Sequence, residues 1–342
     1  MSTAPIFIIG LNRSGTTLLR LMLDAHSRIA IPNESHFFIR YYERRAALGD
    51  LGEPERRLAL VQEILAERYV QLWDRKLTPS DIDLDRCTSL EETIRQLYLA
   101  YARTFGKDLW GDKTPEYATE AHILNRLFPD ARFIHLIRDG RDVALSIIQQ
   151  KWGPNDFVTA VRSWAEDVTW TRKMLGMLPA DRCVELRFED LVAQPEAELR
   201  RLTDFIGVEF EEKMLQYSEG AETKVGGNIR TPIHGHLSDR PLATQALKWM
   251  RTLSAADQAV AHELAGRALA DLGYPPGVTG HPFRILRKGY HRVREGVAWR
   301  WKRHGRARSP NNASSRRPGE TPSARRGEAQ SGRLGEASLP RE

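Results

Sequence analysis

Residues 6–9, Ile-Phe-Ile-Ile, form an unbroken apolar run that stops at Gly10, and a helical pattern begins at Thr17. So short a run reads as a strand buried on both faces of a parallel sheet. Leu18, Leu21, Met22 and Ala25 then fall at i, i+3, i+4 and i+7, one face of a helix. A strand, a glycine-bounded turn and a helix N-terminus in succession make an anion site. The N–H groups of the turn converge there, and the helix dipole adds roughly half a positive charge.

The spacing Gly10-x4-Gly15-Thr16-Thr17 is that of a nucleotide-binding P-loop, with one departure. Thr16 stands where such loops carry their lysine, and the cation is Arg13, inside the loop. An NTPase uses that lysine on the β- and γ-phosphates and a Ser/Thr to hold Mg²⁺. Arg13 with Ser14, Gly15, Thr16 and Thr17 suits a smaller terminal group held without a metal.

The rest of the body alternates strand and helix. Strands are expected at 29–31, 132–137 and 183–188, and helices at 54–73, 89–106, 116–128, 143–150, 155–178, 195–206 and from 254 to about 273. Ser89 begins a capping box and Ser254 is an N-cap, while Gly106 and Gly207 suit helix ends. The expected fold is α/β: a P-loop-like parallel sheet flanked by helices, with a helical insertion on the sheet edge and a basic C-terminal tail. Between Ser218 and Gln245 the pattern dissolves into a long loop.

Charge divides the chain. Residues 281–342 hold 16 Lys/Arg against 5 Glu, whereas residues 1–280 hold 35 Lys/Arg against 40 Asp/Glu. The expected domains are therefore 1–280, a mildly acidic catalytic body, and 281–342, a basic tail that is partly helical and then disordered in composition. A basic pI that comes from the tail gives no reason to expect nucleic acid as a partner of the body. Cys87 and Cys183 make neither a disulfide framework nor a zinc set. No apolar stretch is long enough to span a membrane, and the first strand begins too early for a leader, so a cytoplasmic protein is expected.

Arg138 closes the strand at 132–137, and Ser146 lies two turns into the next helix, where a phosphate would receive a guanidinium and a hydroxyl. Glu34 follows the strand at 29–31, and ligand sites of open parallel sheets lie beyond such strand ends. A carboxylate there can accept a proton from an attacking hydroxyl, and His36 is the alternative base. His26 and His135 read as structural. The sequence shows no Asp/Glu/His cluster with metal-ligand spacing, and no metal is expected.

Arg13-Ser14-Gly15-Thr16-Thr17-Leu18 resembles the 5′-phosphosulfate loop of the sulfotransferases that use 3′-phosphoadenosine-5′-phosphosulfate (PAPS). The continuation through Leu21–His26 to Asn33-Glu34-Ser35-His36 is most similar to the tyrosylprotein sulfotransferases and their bacterial relatives. The resemblance covers roughly residues 4–275. It implies sulfonate transfer from PAPS, as co-substrate, to a hydroxyl acceptor such as a glycan, lipid or small molecule. Glu34 would be the base and Arg138 with Ser146 the 3′-phosphate site. Lys113, in Asp112-Lys113-Thr114-Pro115, resembles the lysine that stabilises the leaving oxygen. Phe188 aligns with an aromatic that stacks on adenine, and Lys248 falls in a segment similar to one closing on the 3′ side of the nucleotide. The alternative is a P-loop kinase-like phosphotransferase. In the tail, basic residues interleave with apolar ones over 281–308, an amphipathic pattern that suits an anionic membrane surface.

Overall fold

The computed structural model describes residues 4–154, 156–217, 246–283, 285–287 and 289. The expected loop at 218–245 and the tail from 290 onward lie outside them. The chain divides into two units, Met1–Ala298 and Trp299–Glu342.

Five strands form one sheet in the order β2-β3-β1-β4-β5. They are β1 (Ile6–Ile9), β2 (Ile29–Ala30), β3 (Leu109–Asp112), β4 (Arg132–Ile137) and β5 (Cys183–Arg187), and every pairing is parallel. In β1, Ile6 lies opposite Gly111 on one side and Arg132 on the other. The strand is wholly buried, as its uniform apolar sequence requires. Alternate residues serve opposite faces. Ile6 and Ile8 pack with α1 (Thr16–Asp24), while Phe7 and Ile9 join an aromatic core with Phe38, Trp110, Phe128 and Phe133.

The stretch between β2 and β3 carries α2 (Phe38–Glu43), α3 (Pro54–Leu65) and α4 (Leu90–Arg103). Ser89 caps α4, its Oγ accepting from the Glu92 N–H at 3.1 Å. Ile94, Leu97 and Tyr98 of α4 bury against the same core as Trp110 of β3, so these helices complete one layer on the β2–β3 side. The helix expected over 54–73 ends at Leu65, because the Gln71 side-chain amide caps the Leu65 carbonyl at 2.6 Å and turns the chain. Trp73 is thereby buried against Tyr98 and Tyr101.

After β3, residues Pro115–Glu120 form 3₁₀ turns before α5 (Ala121–Leu127), where one helix was expected. The Tyr117 hydroxyl causes the difference: it accepts from the Phe38 N–H at 2.9 Å and meets Ser35 Oγ at 3.0 Å, which draws the segment into the core. Then follow α6 (Gly140–Ile147), α7 (Phe157–Leu175), α8 (Phe188–Ala193), α9 (Pro195–Ile206), α10 (Trp249–Thr252) and α11 (Ala255–Asp271). Asp156 caps α7 and Ser254 caps α11. β3 was not anticipated as a strand: its four residues include Gly111 and Asp112, which are poor strand formers.

Candidate active site

All five strands end on the same side of the sheet, and each delivers one of the anticipated groups there. The order reverses at β1, which lies between β3 and β4 although β2 follows it in sequence. The crevice outside the strand ends at such a switch point is the ligand position of open parallel sheets. The loop after β1 carries Arg13 to Thr17, β2 leads to Glu34, β3 to Lys113, β4 to Arg138 and β5 to Phe188.

The loop is a strained cradle. Arg13 has φ +75°, a left-handed conformation unusual for a side-chain-bearing residue, and Gly15 caps α1 at φ +95°. A Cβ on Gly15 would lie 2.4 Å from the Phe188 ring, so only glycine admits the aromatic against the loop. Arg13 is fixed from both ends: its Nε donates to Ser146 Oγ at 2.9 Å, and Arg138 Nη1 donates to its carbonyl at 3.0 Å. The first-turn N–H groups of α1 have no partners within the helix.

Positive charge accumulates here. Burial first, then the neighbouring Arg138, lowers the pKa of Arg13. Burial lowers that of Arg138, and burial followed by Arg138 lowers that of Lys248. The Lys248 ammonium makes no hydrogen bond or ion pair among the described residues. Its backbone is pinned instead, because buried Asp142 accepts from the Lys248 N–H at 3.2 Å and the Trp249 N–H at 2.8 Å. Asp142 also lies 3.8 Å from Arg138. Arg141 is engaged by other groups, paired with Asp139 at 2.7 Å and lying 3.4 Å over the Trp249 ring. Arg13, Arg138 and Lys248 lie close enough to feel one another's charge, and such a gathering of cations favours an anionic ligand. Phe188 is buried, with the Arg138 guanidinium 4.6 Å from its ring centre.

Beside this cluster, Lys113 and Glu34 form an ion pair between the exits of β3 and β2. The buried Lys113 ammonium also donates to Thr17 Oγ1 at 3.3 Å, which ties the pair to the anion loop. Burial pushes the Glu34 carboxyl up, but the Lys113 ammonium and then His36 outweigh it and hold its pKa at about 2. His36 Nε2 lies 2.9 Å from Glu34 Oε2, and its Nδ1 3.6 Å from Glu116 Oε2. Burial alone would lower its pKa; the bond to Glu34 and the charge of Glu116 raise it. His36 lies between two carboxylates that favour its protonated form, an arrangement that works against it as the base in the free protein.

Glu116 was not singled out from sequence, although it directly follows Pro115. Glu34, His36 and Glu116 each offer a ligand atom within 4.8 Å of the others, a metal-like grouping that the linear spacing does not reveal. Their polar atoms are already engaged, since Lys113 takes Glu34 Oε1 and Asn12 Nδ2 donates to Glu116 Oε1 at 3.1 Å. His135 is a structural bridge to Glu185 at 3.2 Å, and His26 sits just past α1 with Nε2 2.9 Å from the Glu209 carbonyl.

An anion cradle at a switch point, with an ammonium–carboxylate pair on its rim, defines a P-loop-like group-transfer enzyme. The family model for the sulfotransferase family matches residues 5–212, and the chain belongs to that family. It is accordingly an enzyme of sulfonate transfer. It is 26% identical over 316 residues to protein-tyrosine sulfotransferase A of Caenorhabditis elegans, spanning 87% of this chain and 76% of that one. It is 27% identical over 304 residues to protein-tyrosine sulfotransferase 2 of Gallus gallus, spanning 85% and 76%. The sulfotransferase domain from the curacin biosynthetic pathway superposes with a TM-score of 0.56 at 26% identity, over 80% of this chain and 98% of that one. The corresponding domain of the Synechococcus PCC 7002 olefin synthase gives 0.54 at 26% identity, over 80% and 95%.

Proposed function

We propose that this enzyme moves the sulfonate of PAPS in line to a hydroxyl acceptor. One observation carries the reading: Arg13, Arg138, Ser146 and Lys248 gather at the strand ends, while the Glu34–Lys113 pair rests on Thr17 of the same loop. The loop, with Arg13, Ser14, Gly15, Thr16 and Thr17, holds the 5′-phosphosulfate. Arg138 and Ser146 hold the 3′-phosphate, and Lys248 closes on the same side. Adenine stacks on Phe188, where Arg138 rests in the free protein.

The acceptor hydroxyl gives its proton to Glu34 as its oxygen bonds to sulfur. The bond from sulfur to the bridging oxygen breaks, and the Lys113 ammonium stabilises the charge that develops there. The products are the sulfated acceptor and 3′-phosphoadenosine 5′-phosphate (PAP). A sulfonate carries one negative charge where a terminal phosphate carries about two, so Arg13, Lys113 and the loop amides supply enough positive charge without a metal.

Thermal unfolding tests the reading. PAP alone is expected to stabilise the protein, by about 2.7 kcal/mol at a hundredfold excess over Kd. Stabilisation by ATP with Mg²⁺ and not by PAP would return the chain to a phosphotransferase reading. Arg138→Ala is further expected to cut the preference for PAP over 5′-AMP by a factor matching the loss of a charge-assisted contact, about 1.5–3 kcal/mol. Ser146→Ala should cut it less. Titration calorimetry with both nucleotides measures the ratio, and an unchanged ratio removes these residues from the 3′-phosphate site.

The start of the tail supports peripheral contact with an anionic membrane, which would bring the enzyme to a lipid-linked acceptor. Phe283, Ile285 and Leu286 are 61%, 70% and 70% exposed, while Arg287 is tied to Asp257 of α11 at 2.7 Å. Each basic residue near such a surface adds about 1 kcal/mol. Salt-sensitive binding to phosphatidylserine vesicles is expected, and replacing Phe283, Ile285 and Leu286 by Ser should weaken it. A full chain that ignores such vesicles at low salt is not a membrane protein of this kind. The thiols Cys87 and Cys183 are free, which fits the reducing cytoplasm proposed as its location.

A further inference from the structure

The Glu34–Lys113 pair joins two segments that the sheet itself does not hold together. The last ladder pairs between β2 and β3 are Ile29 with Leu109 and Ala30 with Trp110. Past them the chain leaves β3 for α1. The Ile31 N–H donates to Asp24 Oδ1 at 2.9 Å, and the Ile31 carbonyl accepts from Arg20 Nη1 at 3.1 Å. Pro32 follows and has no N–H to give. Glu34 is therefore brought back to Lys113 by contacts made after the strand pairing has ended. The lysine side is fixed on its own account, because buried Asp112, its neighbour in β3, accepts from the Tyr98 hydroxyl at 2.6 Å.

The contacts that fix the base side are hydroxyls. The Ser35 N–H donates to Thr114 Oγ1 at 3.0 Å, and Ser35 Oγ lies 3.3 Å from the same atom. The Tyr117 hydroxyl lies 3.0 Å from Ser35 Oγ and accepts from the Phe38 N–H at 2.9 Å. Ser35, Thr114 and Tyr117 are all buried. The two segments interleave. Glu34 meets Lys113 and His36 meets Glu116, while Ser35 and Phe38 meet the intervening Thr114 and Tyr117. Ser35 and Phe38 also bracket His36, whose φ of +56° is a conformation that a residue with a side chain keeps only where its surroundings fix it. Ser35 is joined by one peptide bond to Glu34 and by another to His36, and Thr114 likewise adjoins Lys113. A shift in the hydroxyl cluster therefore passes directly to the base.

We propose that Thr114 and Tyr117 are positioning residues for sulfonate transfer: their hydroxyls set the place of Glu34, and with it the His36 bridge, against the Lys113 ammonium. This rests on the reading of Glu34 as the base and names the groups that aim it. Both residues act through Ser35 and the Phe38 N–H. The groups assigned to the nucleotide, Arg13, Arg138, Ser146 and Lys248, make their contacts on other segments, so PAP binding does not depend on the cluster.

Two near-isosteric variants of the full chain test this. Thr114→Val removes the oxygen that Ser35 bonds, and Tyr117→Phe removes only the oxygen shared by Ser35 and Phe38. With PAPS saturating and 4-nitrophenol as the probe acceptor, each is expected to lower kcat by about tenfold or more, since a misplacement on the order of 1 Å costs up to about a hundredfold. PAP affinity should stay close to that of the parent. Thr114→Ser returns the oxygen and should recover most of the loss. A second readout needs no acceptor. Burial lowers the His36 pKa, and the bond to Glu34, then the charges of Glu116, Glu34 and Asp112, raise it. A displaced Glu34 should therefore show as a fall in the His36 pKa, followed by NMR in the PAP-bound protein, and Thr114→Ser should restore it. If 4-nitrophenol is not turned over, or if Thr114→Val does not fold, the His36 titration in Tyr117→Phe decides. Parent-like kcat or a parent-like His36 titration in the folded variants overturns the proposal, as does a loss of kcat matched by an equal loss of PAP affinity. Retained turnover in Glu34→Gln instead strikes the parent reading, and the His36 titration then still reports whether the hydroxyls hold the Glu34–His36 contact.

Discussion

Glu34→Gln is expected to bind PAP as the parent does and to turn over at least about a hundredfold more slowly, the range of a lost general base. The substitution preserves shape and removes only the capacity to take a proton. Its cost elsewhere is confined to two neighbours. Lys113 loses its carboxylate partner, and His36 loses the bond that raises its pKa, so the imidazole should titrate at a lower pH in the variant, which NMR can follow. The parent adds a second signature. In the free protein the Glu34 pKa is held at about 2, too low for an effective base near neutrality. If Lys113 moves onto the bridging oxygen when PAPS binds, Glu34 loses its strongest acidifying neighbour and its pKa rises. With Glu34 as the proposed base, activity requires the ionised carboxylate and is lost as pH falls through that pKa. The acid limb of kcat, which reports the loaded enzyme, should therefore lie at higher pH than that of kcat/KM, which reports the free one. Retained turnover in Glu34→Gln would transfer the role to His36, and His36→Ala would then be the inactive variant.

How much of this could be read in advance depends on whether the signal was local. The anion loop was legible because strand, glycine turn and helix follow one another within Ile6–Asp24, and the periodicity switches between them. Arg138 and Ser146 were legible for the same reason, one at a strand end and one on the next helix. Glu34 could be placed only as a residue past a two-residue strand, and Lys113 came from resemblance, since half of the strand that delivers it is Gly111 and Asp112, residues that do not read as strand. What stayed hidden is non-local. The Glu34–His36–Glu116 grouping requires the exits of β2 and β3 to lie side by side, and β3 separates β2 from β1 in the sheet although it comes later in sequence. Asp142 looked like one more charge in Arg-Asp-Gly-Arg-Asp, yet it anchors the backbone at Lys248 and Trp249.

The second large effect is expected at Lys113. Lys113→Met keeps an unbranched side chain of similar length in a buried position and removes the charge. Two consequences oppose each other. Without the ammonium, Glu34 is held down only by His36, so its pKa climbs from about 2 and it becomes a stronger base. At the same time, in the proposed mechanism, the bridging oxygen loses the cation that faces its developing charge. Removing one preorganised donor of that kind lowers kcat by about 10²–10³, whereas the gain in basicity acts through a partial proton transfer and is smaller. Turnover is therefore expected to fall by two to three orders of magnitude, with PAP binding reduced much less, because Arg13, Arg138 and the loop remain. The double variant Lys113→Met/Glu34→Gln distinguishes chemistry from packing. Since the two side chains form one ion pair, the double variant should be less destabilised than the sum of the singles in thermal unfolding, and its turnover should be little below that of the worse single. Parent-like turnover in Lys113→Met would reduce the lysine to a structural partner of Glu34 and leave the leaving oxygen to Arg13 alone.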